Sequence, residues 1–271
     1  MLENVVTHGD HVRFAAFIGF LALVAALELL KPRRPLVMDR GARWVTNLGL
    51  LLVGTVSLRI LQPLLALAAA GWAADQQVGL LAQITLPAWV LLPLGILVLD
   101  AASYGLHVLT HHVPVLWRFH AIHHSDRDVD LTTALRFHPV ELVFQLGWKV
   151  LVIVAVGIDP AAVILFEILF SSAGLVNHGN FRLPAPVDRL LRLALITPDV
   201  HRIHHSADPQ EMNRNYGFCL SIWDRIFGTF KAQPDDGHMG MVLGLPRHQD
   251  TDPGRFWWTM GFPFRRGSGQ V

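Results

Sequence analysis

Five apolar stretches constrain this chain more than any other feature of its sequence. Residues 14–30 are interrupted only by Glu28. Residues 44–70 and 80–99 are longer, and the second of these can continue as helix to Thr110. Residues 140–156 and 161–176 form a shorter pair about the turn signal Gly157-Ile158-Asp159-Pro160. About 20 apolar residues cross the hydrocarbon of a bilayer as a helix. The first three stretches therefore read as membrane helices, and the pair reads as a helical hairpin, transmembrane or partly re-entrant. The expected fold is an all-α integral membrane protein with about four to five membrane helices. Residues 14–30 are followed, not preceded, by Lys31, Arg33 and Arg34 and show no cleavage pattern, so they read as a retained helix rather than a signal peptide.

Basic residues orient these helices. Lys31, Arg33, Arg34, Arg40 and Arg43 lie between the first two stretches, and Arg118, Arg127 and Arg136 lie between the third and the hairpin. Eleven more Lys or Arg follow His178. The positive-inside rule puts all three segments in the cytoplasm, which with five crossings leaves the N-terminus outside. Arg59 and Lys149 fall inside apolar stretches, where a charge is costly, so each is expected to face the bundle interior or to mark a displaced boundary. After Gly237 the chain reads as a loop-like tail, with Phe256, Trp257, Trp258 and Phe262 as interfacial aromatics. The expected organisation is a membrane anchor over residues 1–99, a catalytic region over 100–230 containing the hairpin 140–176, and a tail over 231–271.

Composition narrows the chemistry. The chain is 52% hydrophobic and 16% charged with a net charge of +1, and it carries no RNP, zinc-finger or Walker pattern, so nucleic acid is not an expected partner. Cys219 is its one cysteine, which rules out an internal disulfide or a cysteine-ligated cluster, so any metal must rest on nitrogen or oxygen. Of fifteen histidines, eleven fall between His107 and His205.

Their spacing is that of metal ligands. His107 and His111 form an H-x-x-x-H pair, which on a helix puts both imidazoles on one face. His120, His123 and His124 form H-x-x-H-H, in which the adjacent pair diverges by about 100°, so one box can serve two metals. His201, His204 and His205 repeat that arrangement, and Asn177-His178 closes the fifth stretch. A lone structural zinc takes about four ligands, so these nine candidates fit two ions with positions left for water or oxygen. Asp100 and Asp224 are candidate carboxylates to orient the ring Nδ1–H groups. His112 lies about 100° from His111 and reads as solvated or as a partner one shell out. His138 could line the site or cap the helix that begins at Pro139. His8, His11, His238 and His248 lie outside every box.

The run Asp100-x-x-x-Tyr104-x-x-His107-x-x-x-His111, then Leu116-Trp117-Arg118-Phe119-His120-x-x-His123-His124-Ser125, resembles the first two boxes of the fatty acid hydroxylase / sterol desaturase superfamily. Asn177-His178-Gly179, Thr197-Pro198-x-x-His201-Arg202-x-His204-His205-Ser206, Asn215-Tyr216-Gly217 and Trp223-Asp224-Arg225-x-Phe227-Gly228-Thr229 resemble its later landmarks. The resemblance covers roughly residues 100–230. It implies a membrane anchor under a cytosolic helical cap, two histidine-ligated iron ions, and oxygen-dependent hydroxylation or desaturation of a lipid. Arg182 stands near the place where some hydroxylases of that superfamily carry a further histidine, so a water or Asn177 is a candidate substitute ligand.

Unactivated C–H bonds yield to metal-activated oxygen and not to acid–base groups alone. No haem segment, flavin fingerprint or ferredoxin cysteine set is visible, so the electron donor is expected to be a separate protein. A membrane metal transporter is the main rival, but it would place its histidines at mid-membrane depth. A zinc-dependent membrane hydrolase is the other, but H-E-x-x-H is missing.

Overall fold

A computed structural model describes residues 8–61 and 66–268. Among these residues the structure is helical, with only isolated β-bridges such as Pro32 with Phe181. Helix α1 (Gly9–Leu30) ends at Lys31-Pro32, where proline cannot extend the ladder. Helix α2 (Arg40–Ile60) starts at Asp39, whose side chain accepts from the Ala42 amide at 2.7 Å. It is followed by the short α3 (Ala66–Asp75). Helix α4 (Ala88–His112) and α5 (Pro114–His124) meet at Val113, whose extended backbone is what a following proline imposes. Helices α6 (Pro139–Val156) and α7 (Pro160–His178) form the hairpin, and the cap carries α8 (Ala185–Leu191) and α9 (Pro198–His204).

Among the described residues four helices, α1, α4, α6 and α7, are long and apolar enough to cross a membrane. The apolar stretch 44–70 departs from expectation: it is not one span but two helices, and the break follows Ile60, close to Pro63 in the sequence. Arg43, Thr46 and Asn47 bury polar groups on the first half of α2, which lowers its hydropathy. The two pieces nevertheless run from one end of the bundle to the other. Arg43 at the start of α2 is held by Asp126 and Asp130 in the cap, whereas Val78, just past α3, meets the Gly157 turn at the opposite end.

That turn requires glycine on both sides. Gly157 has φ +75 and closes α6 in the left-handed region. A Cβ there would lie 2.8 Å from the Val78 carbonyl, and one on Gly79 would lie 2.2 Å from the Gly157 amide. Helix α1 runs alongside α7 in the same direction, with Gly9 against Ile164 and Val24 beside Gly179. Gly95 of α4 meets Ala162 and Ile158. The ends of α4 and α7 that carry His107, His111 and His178 thus lie together, away from the Gly157 turn.

The cap buries charge where the bundle buries Leu99, Ile153, Val163 and Phe166. Arg43 donates to Asp126 at 2.7 Å and to Asp130 at 2.6 Å, with all three side chains at most 1% exposed. Arg136 donates to the Ile122 carbonyl, Asn47, Ser125 and the Pro253 carbonyl, tying α5 to α2 and to the tail. Buried charges of this kind demand full pairing, and here they fix the helix that carries three of the boxed histidines. Glu28, the one acid in the first apolar stretch, accepts from the amides of Leu131 and Asn180 and so locks the top of α1 to the cap. The tail differs from the expected loop. It forms short helices, and Phe262 is buried beside Leu50 and Trp117 rather than interfacial, while Trp257 is 81% exposed. Of the two awkward charges, Lys149 faces inward to Glu167 and Arg59 is exposed.

Candidate metal centre

The nine boxed or near-box histidines converge from four elements. Helix α4 supplies His107 and His111, α5 supplies His120, His123 and His124, α7 ends on His178, and α9 with its last flanking residue supplies His201, His204 and His205. They sort into two groups, each with its ligand atoms within 4.8 Å of one another. His107, His111, His120, His124 and His204 form one, and His123, His178, His201 and His205 form the other. Each H-x-x-H-H box is split between the groups, as the 100° divergence of adjacent helical residues requires.

The hydrogen bonds identify which nitrogens are free. His107 Nδ1 donates to the Tyr216 carbonyl at 2.7 Å, and His204 Nδ1 donates to the Arg214 carbonyl at 2.8 Å. A carbonyl only accepts, so both rings carry their proton on Nδ1 and present a bare lone pair at Nε2. Those two Nε2 atoms face each other at 3.0 Å. Two acceptors at that distance repel unless a cation lies between them. His178 is set the same way, with Nδ1 on the Gly174 carbonyl at 2.7 Å and Nε2 at 3.0 Å from both His123 and His201. His111 is buried with neither ring nitrogen hydrogen-bonded, and the Nδ1 atoms of His123, His124, His201 and His205 likewise have no partner among the described residues. Buried imidazoles left in this state fit a metal and fit little else.

Electrostatics keeps the cap histidines neutral. Burial, reinforced by neighbouring imidazoles, holds His123, His124, His201 and His205 well below the usual histidine range, and burial pushes His204 down to about 3. Neutral imidazole is the ligating form.

The surrounding groups are placed differently from the sequence expectation. Asp100 and Asp224 touch no imidazole. Asp100 accepts from Trp223 Nε1 at 2.8 Å and from the amides of Cys219 and Leu220. Asp224 accepts from the amides of Tyr216 and Gly217, each at 2.8 Å, and from Thr229 Oγ1 at 2.6 Å. Together they fold the 216–224 loop so that the Tyr216 carbonyl meets His107. Gly217 is needed there, since a Cβ would come within 2.7 Å of Asp224 Oδ2. His112 pairs with the Tyr216 hydroxyl at 3.2 Å, His138 caps α6 through the Val140 amide, and Asn177 donates to the Phe218 carbonyl. None of the three belongs to either histidine group.

The carboxylate that does reach an imidazole is Glu141, which sequence reasoning missed. Its Oε1 accepts from His120 Nδ1 at 2.7 Å and from Gln145 at 2.9 Å, and the residue is fully buried. The available signal was an acid in the first turn of a largely apolar helix. A cavity of about 710 Å³ runs from His107, His120 and His123 down between the bundle helices, with Leu99, Leu106 and Leu175 among its walls.

The profile of the fatty acid hydroxylase family matches residues 92–229. Ornithine lipid hydroxylase OlsE from Rhizobium tropici is 33% identical over 142 residues, 52% of this chain and 42% of that protein. Alkylglycerol monooxygenase from Xenopus tropicalis is 35% identical over 160 residues, 57% of this chain and 33% of its own. Cholesterol 25-hydroxylase from Homo sapiens is 27% identical over 140 residues, 51% of this chain and 50% of its own. The chain thus spans half or less of each of these relatives. No solved structure matches it.

Proposed function

The chain belongs to the fatty acid hydroxylase family, and from that premise we propose that it is a membrane oxidoreductase that hydroxylates or desaturates a lipid with dioxygen. The observation that carries the reading is the pair of bare Nε2 atoms of His107 and His204 at 3.0 Å, repeated around His178 in the second group. The division into five and four imidazoles supports two ions rather than one. His107, His111, His120, His124 and His204 would hold one iron, and His123, His178, His201 and His205 the other. When bound, the irons would supply the activation of dioxygen that an unreactive C–H bond requires.

The chain's own residues do the rest. The carbonyls of Gly174, Arg214 and Tyr216 and the Glu141 carboxylate fix the tautomers and ring planes of four ligands, so that the lone pairs are aimed before a metal arrives. The apolar cavity holds a lipid chain against His107, His120 and His123 and keeps water from it. The relatives carry names of enzymes acting on an ornithine lipid, an alkylglycerol and cholesterol, which supports oxygenation of a lipid and leaves the headgroup open. Electrons would come from a separate protein meeting the histidine end on the cytoplasmic side, where the basic segments lie. A transporter would carry its histidines at mid-span, whereas His111 and His178 stand at the last turns of α4 and α7.

The test is made on iron-supplemented protein in lipid nanodiscs. About two tightly held irons per chain, reductant-dependent oxygen uptake, and a lipid product gained in cells carrying the protein are expected. One tightly held metal would overturn the two-ion reading, and two irons without lipid oxidation would overturn the oxygenase.

A further inference from the structure

The end of the cavity remote from the histidines is charged. Arg13 of α1, Lys149 of α6 and Glu167 of α7 line it, with Asp10 at its edge. Glu167 accepts from Arg13 and, at 3.2 Å, from Lys149, and Arg13 also pairs with Asp10. Lys149, Glu167 and Arg13 lie within helices of membrane-spanning length, where charges are expensive and serve a purpose. Along α7, Glu167 precedes His178 by 11 residues, and along α6, Lys149 follows Glu141 by 8. At 1.5 Å per residue these separations are roughly 16 and 12 Å.

We propose that this cluster binds the polar end of an amphiphilic lipid, whose chain runs along the cavity and presents a carbon remote from that end to the histidine centre. The proposal rests on the oxygenase reading for the second half of that statement, but the binding site itself does not. A simple clamp between helices would be sealed. Here the side chains of Arg13, Lys149 and Glu167 remain 31%, 27% and 18% exposed on the cavity wall. Lys149 Nζ has three hydrogens and bonds Glu167 among the described residues, so donors remain for a ligand. Two cations and two anions already balance, and a further net charge would have no counterpart in hydrocarbon. The polar end is therefore uncharged. A hydroxyl fits, accepting from Lys149 and donating to Glu167.

Two photoactivatable long-chain alcohols test this on the full chain in nanodiscs, one with a diazirine beside the hydroxyl carbon and one with it at the chain terminus. Adducts are mapped by mass spectrometry. The first is expected to label the peptide holding Trp148 and Lys149, and the second the segment around Leu135 and Phe137, which lines the cavity near His123. The charge-balanced double variant Lys149→Met with Glu167→Gln should cut labelling by the first probe at least tenfold and leave iron content unchanged. A diazirine alkane of the same length should show no end preference in the wild-type protein, which keeps the test decisive if the double variant does not fold. Reversed labelling, an unchanged pattern in a folded double variant, or an alkane that labels like the alcohol would each overturn the proposal. Labelling needs no turnover, so absent lipid oxidation with the expected adducts would sink the oxygenase reading alone.

Discussion

His204 and His205 are neighbours in sequence, yet His204 Nε2 faces His107 at 3.0 Å and His205 Nε2 faces His201 at 3.3 Å, in different groups. Replacing either by alanine should abolish lipid oxidation, and each single variant should retain about one iron where the parent holds about two. Elemental analysis on monodisperse protein checks this; wild-type oxidation by either folded variant would remove the second H-x-x-H-H box from the centre. Glu141 acts through His120, so Glu141→Ala should weaken iron retention against a chelator about 10- to 100-fold, with Glu141→Gln, which keeps an acceptor oxygen, closer to the parent. Equal retention in all three proteins would leave Glu141 without a positioning role. His238 lies outside both groups but is buried, and burial pushes it down to about 4 from the ordinary 6.5. The unfolded chain binds its proton more readily, so its contribution is present above about pH 6.5 and is lost as pH falls toward 4. His238→Gln should flatten the loss of thermal stability across that window and leave turnover unchanged, as melting curves at stepped pH would report. Eight of the nine ring positions were legible because helical spacing puts His107 with His111 and divides each H-x-x-H-H box between two directions, and His178 was legible only from its place at the end of an apolar stretch. Glu141 and the three carbonyls were not, because they arrive from elements whose packing no local pattern encodes, and for the same reason Asp100 and Asp224 were expected on the rings when they hold a loop one carbonyl away.

At the scale of elements, apolar runs and turn signals located α1, α4, α6 and α7, and the hairpin turned where Gly157 and Pro160 stand. The stretch 44–70 has the hydropathy of one span because hydropathy sums over a window and is blind to where Arg43 and Asn47 point, both into a buried polar network with Asp126 and Thr132. The tail carries no helical signal in its sequence because its helices are only a few residues long, too short to show a period. The Gly157 turn is where one substitution tests the packing. Alanine there must adopt φ +75 with its Cβ 2.8 Å from the Val78 carbonyl, which costs roughly 1–3 kcal/mol. Gly157→Ala should therefore lower the melting temperature in detergent while the iron content of folded protein stays at the parent value, since the turn lies at the far end of α7 from His178. An unchanged melting temperature would mean that the 78–79 segment yields freely.

For the whole molecule, the proposed orientation puts the histidine end at one side of the membrane and the Gly157 turn at the other. The cap carries its own exposed apolar patch at that end. Leu190, Leu193, Ile226 and Phe227 are 61–69% exposed, and the two segments bearing them are joined where Ser221 Oγ and Arg225 donate to the Arg192 carbonyl. Phe227 stacks on Tyr104 of α4 at 5.4 Å, one turn short of His107. An apolar patch at that depth, edged by Arg189 and Arg225, suits the headgroup boundary of a bilayer. It would seat the histidine centre just above the hydrocarbon, within reach of both a lipid chain and a water-borne donor. By the positive-inside rule, the basic residues of the 31–43, 118–136 and 182–266 segments favour the cytoplasm for this side, a proposed orientation open to test. In a Cys219→Ser background, single substitutions Val37→Cys and Gln210→Cys should react with a membrane-impermeant thiol reagent only after the cytoplasmic face is opened, and Gln76→Cys, exposed near the Gly157 turn, should react in intact cells. Labelling of Val37→Cys and Gln210→Cys on opposite sides would break the shared site. Arg43 is anchored in the cap and Val78 at the turn, so labelling of all three on one side would mean that these two ends of the bundle do not lie on opposite sides of the bilayer.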